Sequence, residues 1–159
     1  MDASPIIVWL RRDLRLADNP ALAAAAVGPV VLVHILEDGE EIGGAARWWL
    51  HRSLADLGRR APLLLRRGEP ARVLTELAAE TKAAAVHWNR RYSPAGAARD
   101  RAVATALAEA GVAVRDFPGD LLFEPWTVRS RAGEPFRVFT PFWTRCQEHQ
   151  VAAPVGAPD

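Results

Sequence analysis

The chain alternates between short, unbroken apolar runs and longer stretches in which apolar residues recur at helical spacing. The runs are Pro5-Ile-Ile-Val-Trp-Leu10, Pro29-Val-Val-Leu-Val-His-Ile-Leu36, Pro62-Leu-Leu-Leu65, Ala84-Ala-Val-His-Trp88 and Val112-Ala-Val-Arg115. Each has strand length and lacks a polar face, the pattern of strands buried on both sides. Asn19 and Pro20 read as the cap and first position of a helix running through Ala26. Trp48, Trp49, Leu50, Leu54 and Leu57 mark a helix from Ala45 to about Arg60. Glu69-Pro70 opens another, with Val73, Leu74, Leu77 and Ala78 on one face, and a further helix spans Ala95 to Ala110. Strand and helix thus alternate through five strands. This order predicts an α/β fold: a five-stranded parallel Rossmann-like sheet with helices on both faces.

After Asp116 the pattern changes. Phe117 to Pro141 is rich in Pro, Gly and aromatics and reads as an ordered excursion with little regular structure. Phe142 to about Gln150 predicts a short helix, and Val151 to Asp159 has linker composition.

Composition narrows the function classes. The 159 residues suffice for one domain with a proper core, and the net charge of +1 offers no general nucleic-acid or membrane surface. One cysteine, Cys146, excludes an internal disulfide and any CxxC motif. His34, His51, His87 and His149 are scattered without ligand spacing, so no metal site is expected. Met1 to Pro5 lacks the basic start of a signal peptide, and no apolar run approaches the roughly 20 residues that span a bilayer. The expected setting is the cytoplasm.

Ligands of open parallel sheets bind beyond the carboxyl ends of the strands. The segments there are Arg11 to Arg15, Glu37 to Gly44, Arg66 to Glu69 and Asn89 to Pro94. None contains a dinucleotide fingerprint, a phosphate loop or a nucleophile elbow, so no catalytic residue is expected. Glu40-Glu41 reads as a solvated loop.

One segment is more specific. Trp9-Leu-Arg-Arg-Asp-Leu-Arg-Leu-Ala-Asp-Asn-Pro-Ala-Leu22 resembles the N-terminal signature of the DNA photolyase and cryptochrome family nearly throughout. Four more segments resemble the family in order: Arg47 to Leu57, Leu65 to Pro70, Trp88 to Pro94 with Arg99-Asp100, and Val138 to Trp143. Together they cover about residues 5 to 146. The resemblance implies a structural role for the charged turn, an ion-pair and cap network of Asp13 and the arginines that leads strand into helix.

Family members have two domains. The resemblance implies that residues 1–146 form the N-terminal α/β domain, which carries a light-harvesting antenna chromophore in many members. Residues 147–159 begin the interdomain linker. FAD, DNA binding and light-driven repair of pyrimidine dimers belong to a C-terminal domain absent here, which is then the expected partner. This polypeptide alone should neither repair nor bind DNA, and its six tryptophans read as aromatic packing. The antenna residues carried over are Arg11, Ile35, Leu36, Glu37, Arg47, Leu50 and Asp100. Arg47 is expected to fork onto a phosphate or carboxylate of the chromophore. Folate-binding members carry an Asn-Glu pair where this chain has Ala95 and Gly96, so a deazaflavin or FMN is favoured over methenyltetrahydrofolate. Two alternatives stand beside this reading. One is a free-standing flavin-, nucleotide- or partner-binding module of the same fold; the other is an unrelated α/β enzyme.

Overall fold

The computed structural model describes residues 4–37 and 42–158. Asp38 to Glu41, the first three residues and Asp159, on which expectations were placed, lie outside them. The elements follow in strict alternation: β1 (Ile6–Leu10), α1 (Pro20–Ala25), β2 (Val30–Leu36), α2 (Gly44–Arg60), β3 (Leu63–Arg67), α3 (Pro70–Thr81), β4 (Ala85–Asn89), α4 (Pro94–Glu109), β5 (Ala113–Phe117) and α5 (Phe139–Gln147). The sheet has the order β3-β2-β1-β4-β5, and every pairing is parallel. The expected architecture is therefore the observed one.

Alternation of side chains along each strand supplies two cores. Ile7 and Trp9 of β1, Val33 and Ile35 of β2, and Val86 and Trp88 of β4 pack against α3 and α4. Val8, Leu10 and Leu32 pack on the other face against Ala21, Leu22 and Ala25 of α1 and Leu57 of α2. The outer strands β3 and β5 are only partly covered, unlike β1, β2 and β4. This explains why β3 runs on through Arg66 and Arg67, where the apolar pattern stops at Leu65. Edge position leaves those arginines in water while their backbones pair with Ile35 and Leu36.

Three helices begin alike. Proline occupies the first turn, and the preceding side chain accepts backbone donors: Asn19 from Leu22, Glu69 from Ala71 and Arg72, Ser93 from Gly96. Helix α5 starts three residues earlier than its pattern predicts, because Pro141 sits in the first turn, where no intrahelical donor is lost. No helix or strand occurs between Phe117 and Phe139. Beyond α5 the chain is irregular and returns to the start of α1, where the Asp18 N–H donates to the Val155 carbonyl at 2.7 Å.

Of the six tryptophans, only Trp9 and Trp88 are buried. They meet edge to face with ring centroids 5.8 Å apart in the core. Trp48, Trp49, Trp126 and Trp143 are exposed. On α2 the buried positions are Leu54 and Leu57, and that stripe cannot also hold two adjacent tryptophans about 100° apart around the helix.

Candidate functional site

After β3 the chain crosses back over the sheet to place β4 beside β1. The strand order reverses at the carboxyl end of β1, which is where parallel sheets open a crevice. The charged turn Arg11 to Arg15 falls there.

A buried hydrogen-bond network shapes this turn. Asp13 accepts from the Arg11 N–H at 2.8 Å and from the Asn89 amide at 2.6 Å. The same Asn89 nitrogen donates to Asn19 Oδ1 at 2.9 Å, and Asn89 Oδ1 accepts from the Ala21 N–H at 3.2 Å. Asn19 Oδ1 also caps α1 through the Leu22 N–H. Asp13, Asn19 and Asn89 are all buried. The network is present as expected, but its pairing differs. Among the described residues Asp13 has neutral donors, and no arginine forms an ion pair with it. The ion pair joins Arg11 to Asp100. Arg11 continues the odd-numbered face of β1, lies over the Trp9 ring at 4.3 Å and meets α4, which packs on that face. It also donates to the Asn89 carbonyl. Arg15 is structural as well, donating to the carbonyls of Asp18 at 2.9 Å and Gly119 at 2.7 Å.

Beyond this network lies a cavity of about 850 Å³. Four of the predicted residues line it: Arg11, Ile35, Glu37 and Leu50. Three do not. Leu36 projects from the opposite face of β2 to Ile35. Arg47 is exposed on the first turn of α2, where its guanidinium lies 3.4 Å from the Ile42 carbonyl. Asp100 stands behind Arg11 and accepts from the Arg91 N–H at 3.2 Å. Arg99 of α4 reaches across to Glu37, with Nε 3.0 Å from Oε2 and Nη1 3.1 Å from Oε1. This two-pronged pair ties the end of β2 to α4 at the cavity edge.

The walls include residues outside the predicted site set. His34, with Nδ1 3.0 Å from the Leu10 carbonyl, is one; Trp49 and Ser53 of α2 are two more. Arg12, Arg91 and Ser93 also line the cavity, and all three fall in the strand-end segments marked from sequence. Ala95 and Gly96 form part of the wall without a polar side chain. Gly96 has no room for one: a Cβ there would stand 2.6 Å from Arg91 Cβ and 2.9 Å from the capping Ser93 oxygen.

Arginine dominates the field. Desolvation lowers the pKa of Arg91; Asp120 opposes this, and the nearby Arg12 and Arg11 add to it. Arg91 pairs with Asp120 at 2.9 Å. On the far side of β4, Tyr92 donates to Glu124 at 2.9 Å, and burial followed by that carboxylate pushes its pKa up to about 12. Among the described residues no group of three or more His, Cys, Asp or Glu is placed to hold a metal, and no helix is long and apolar enough to cross a membrane.

Known proteins resemble this chain in sequence and fold. The family described as DNA photolyase matches residues 6–159. The chain is 46% identical over 151 residues to a deoxyribodipyrimidine photo-lyase of Agrobacterium fabrum, covering 90% of this chain and 32% of that protein. It is 40% identical over 151 residues to cryptochrome-1 of Arabidopsis thaliana, covering 88% of this chain and 22% of that one. A crystal structure of a bacterial class III photolyase from Agrobacterium tumefaciens superposes with a TM-score of 0.93 at 44% identity, over 99% of this chain and 35% of the other. The chain thus spans 22–35% of the length of these relatives. The strand-end signature, the five-stranded parallel sheet and these likenesses agree: the chain belongs to the DNA photolyase and cryptochrome family, with the fold of its N-terminal α/β domain.

Proposed function

We propose that this chain is a light-harvesting antenna domain. It holds a planar chromophore in the cavity beyond β1 and β2 and passes excitation to FAD in a C-terminal domain of the kind its longer relatives have room for. The observation that carries this reading is the cavity itself. Its 850 Å³ lies within the range of small-molecule sites, at the point in the sheet where ligands bind. An antenna needs no nucleophile or general base. When bound, the chromophore supplies absorption of near-ultraviolet and blue light. The protein's part is to hold it rigidly and exclude water.

Arg11, Ile35, Glu37 and Leu50 are the contacts proposed from the predicted set, with Asp100 acting through Arg11. Leu36 and Arg47 lie outside the cavity lining. The residues present fit a flavin-type ring: an aromatic wall at Trp49, apolar side chains at Ile35, Ile42 and Leu50, and an excess of arginine. Ala95 and Gly96 offer no side-chain partner to a pterin, which favours a deazaflavin or FMN over methenyltetrahydrofolate.

One observation favours a two-domain parent over a free-standing module. Phe139 and Trp143 of α5 stack in parallel at 6.3 Å, and with Val138 and Phe142 they are exposed; Cys146 is the buried residue of that helix. Soluble domains rarely leave such a patch open. A C-terminal domain would cover it and would carry the FAD chemistry, so this chain alone is expected not to repair DNA.

Fluorescence titration of the purified chain with a deazaflavin, FMN and a reduced folate tests the antenna reading. Saturable binding of a flavin or deazaflavin supports it. No binding by any of the three overturns it.

A further inference from the structure

The cavity walls carry five arginines, Arg11, Arg12, Arg15, Arg91 and Arg99, against two carboxylates, Asp13 and Glu37. Four of the five are committed. Arg11 is held by Asp100, Arg15 by two backbone carbonyls, Arg91 by Asp120 and Arg99 by Glu37. Arg12 differs. It is exposed, and it forms no hydrogen bond or ion pair with the described residues. Next to it, the buried carboxylate of Asp13 is already occupied by the Arg11 amide and Asn89. The turn therefore presents one uncommitted guanidinium at a cation-rich cavity.

Trp49 is the second unspent group. It lines the same cavity from α2, yet 67% of it is exposed. Its recorded aromatic neighbour, Trp48, is tilted at 46° with centroids 6.5 Å apart, so one indole stands open to solvent. An exposed indole at a cavity edge is a surface for a flat ring to cover.

From these two groups we infer that the cavity selects a planar ligand bearing an anionic side group, with Arg12 binding the anion and Trp49 stacking on the ring. This rests on the antenna reading and adds a specificity rule to it: the charge on the ligand's side chain, not the ring alone, sets affinity. A guanidinium suits either a phosphate or a carboxylate, since both accept its paired donors. Arg12 is the choice over its neighbours because binding it breaks no existing ion pair.

FMN and riboflavin share one ring system and differ by the phosphate, so they isolate the anion. Flavin fluorescence titrations of the parent chain should give FMN an affinity about tenfold or more above riboflavin, the scale of a charge-assisted hydrogen bond. Arg12→Gln should bring FMN down to the riboflavin level and leave riboflavin unchanged. Arg12→Lys should recover part of the difference, because it keeps the charge and loses the fork. Trp49→Ala should weaken both flavins alike. A reduced folate provides the carboxylate arm: if it binds and Arg12→Gln weakens it, the anion is read whichever source supplies it. Equal affinity of FMN and riboflavin for the parent overturns the inference while leaving the antenna reading intact. So does an equal loss of both flavins in Arg12→Gln with unchanged circular dichroism. Failure of every chromophore to bind the parent removes the antenna reading and this inference with it.

Discussion

The side-chain amide of Asn89 donates to Asp13 Oδ2 at 2.6 Å, joining the ends of two neighbouring strands from positions 76 residues apart in sequence. Through Asn19 the same amide reaches the cap of α1. One buried asparagine thus holds β4, the turn after β1 and the first helix in a single arrangement. The floor of the cavity depends on it, since Arg11 to Arg15 all line that space.

Asp13→Ala removes the acceptor for two donors, the Arg11 amide and one N–H of Asn89. Each orphaned buried donor costs about 1–3 kcal/mol. Asp13→Asn should cost less, because one oxygen remains to accept. Urea denaturation of the parent and both variants checks this. A midpoint for Asp13→Ala equal to the parent's is the contrary result.

Gly119→Ala should disturb the same network from outside. A Cβ at position 119 would lie 2.7 Å from both Cβ and Oδ1 of Asn89, well inside van der Waals contact. Gly119 is also held by Arg15, which donates to its carbonyl at 2.7 Å. Displacing Asn89 by overpacking should destabilise the fold by about 1–3 kcal/mol. Thermal melts would show it. Gly156→Ala is the comparison, because a Cβ there meets nothing within 4 Å.

Tyr92 is the only tyrosine, so alkaline titration followed by tyrosinate absorbance reports on it alone. The midpoint should fall near 12 and not at the ordinary 10.0, with circular dichroism showing that the protein stays folded. Burial disfavours the phenolate first, and the Glu124 carboxylate that accepts its proton disfavours it further. Glu124→Gln should lower the midpoint toward 10.0. The linked stability has a definite sign. The folded-state value lies above the unfolded one, so the neutral phenol's contribution is complete below pH 10 and is lost as pH rises toward 12. A parent midpoint at 10.0 contradicts the Tyr92–Glu124 bond.

Much of the fold was legible along the chain because its signals are local. Unbroken apolar runs mark all five strands, although only β1, β2 and β4 are well covered, and Asn19, Glu69 and Ser93 stand directly before the prolines that open three helices. Where the reading slipped, a nonlocal fact was responsible. Arg66 and Arg67 remain in β3 because that strand is at the sheet edge, which no run of residues announces. Trp48 and Trp49 read as core because they are large and apolar. Their exposure follows from the single stripe that α2 turns toward the sheet.

By itself the sequence determined the alternating α/β architecture, the three proline-marked helix starts, the charged turn at the end of the first strand and the family likeness. These depend on periodicity, proline chemistry and contiguous motifs, which act within a few residues. Tertiary structure alone decided which charges pair. Arg11 takes Asp100, 89 positions away, and Asp13 takes Asn89, because the order β3-β2-β1-β4-β5 sets β4 and α4 against the end of β1. The same order decided that Arg12, among the five arginines of the cavity, has no partner among the described residues. Pairing is a property of distance in space, and strand order sets that distance.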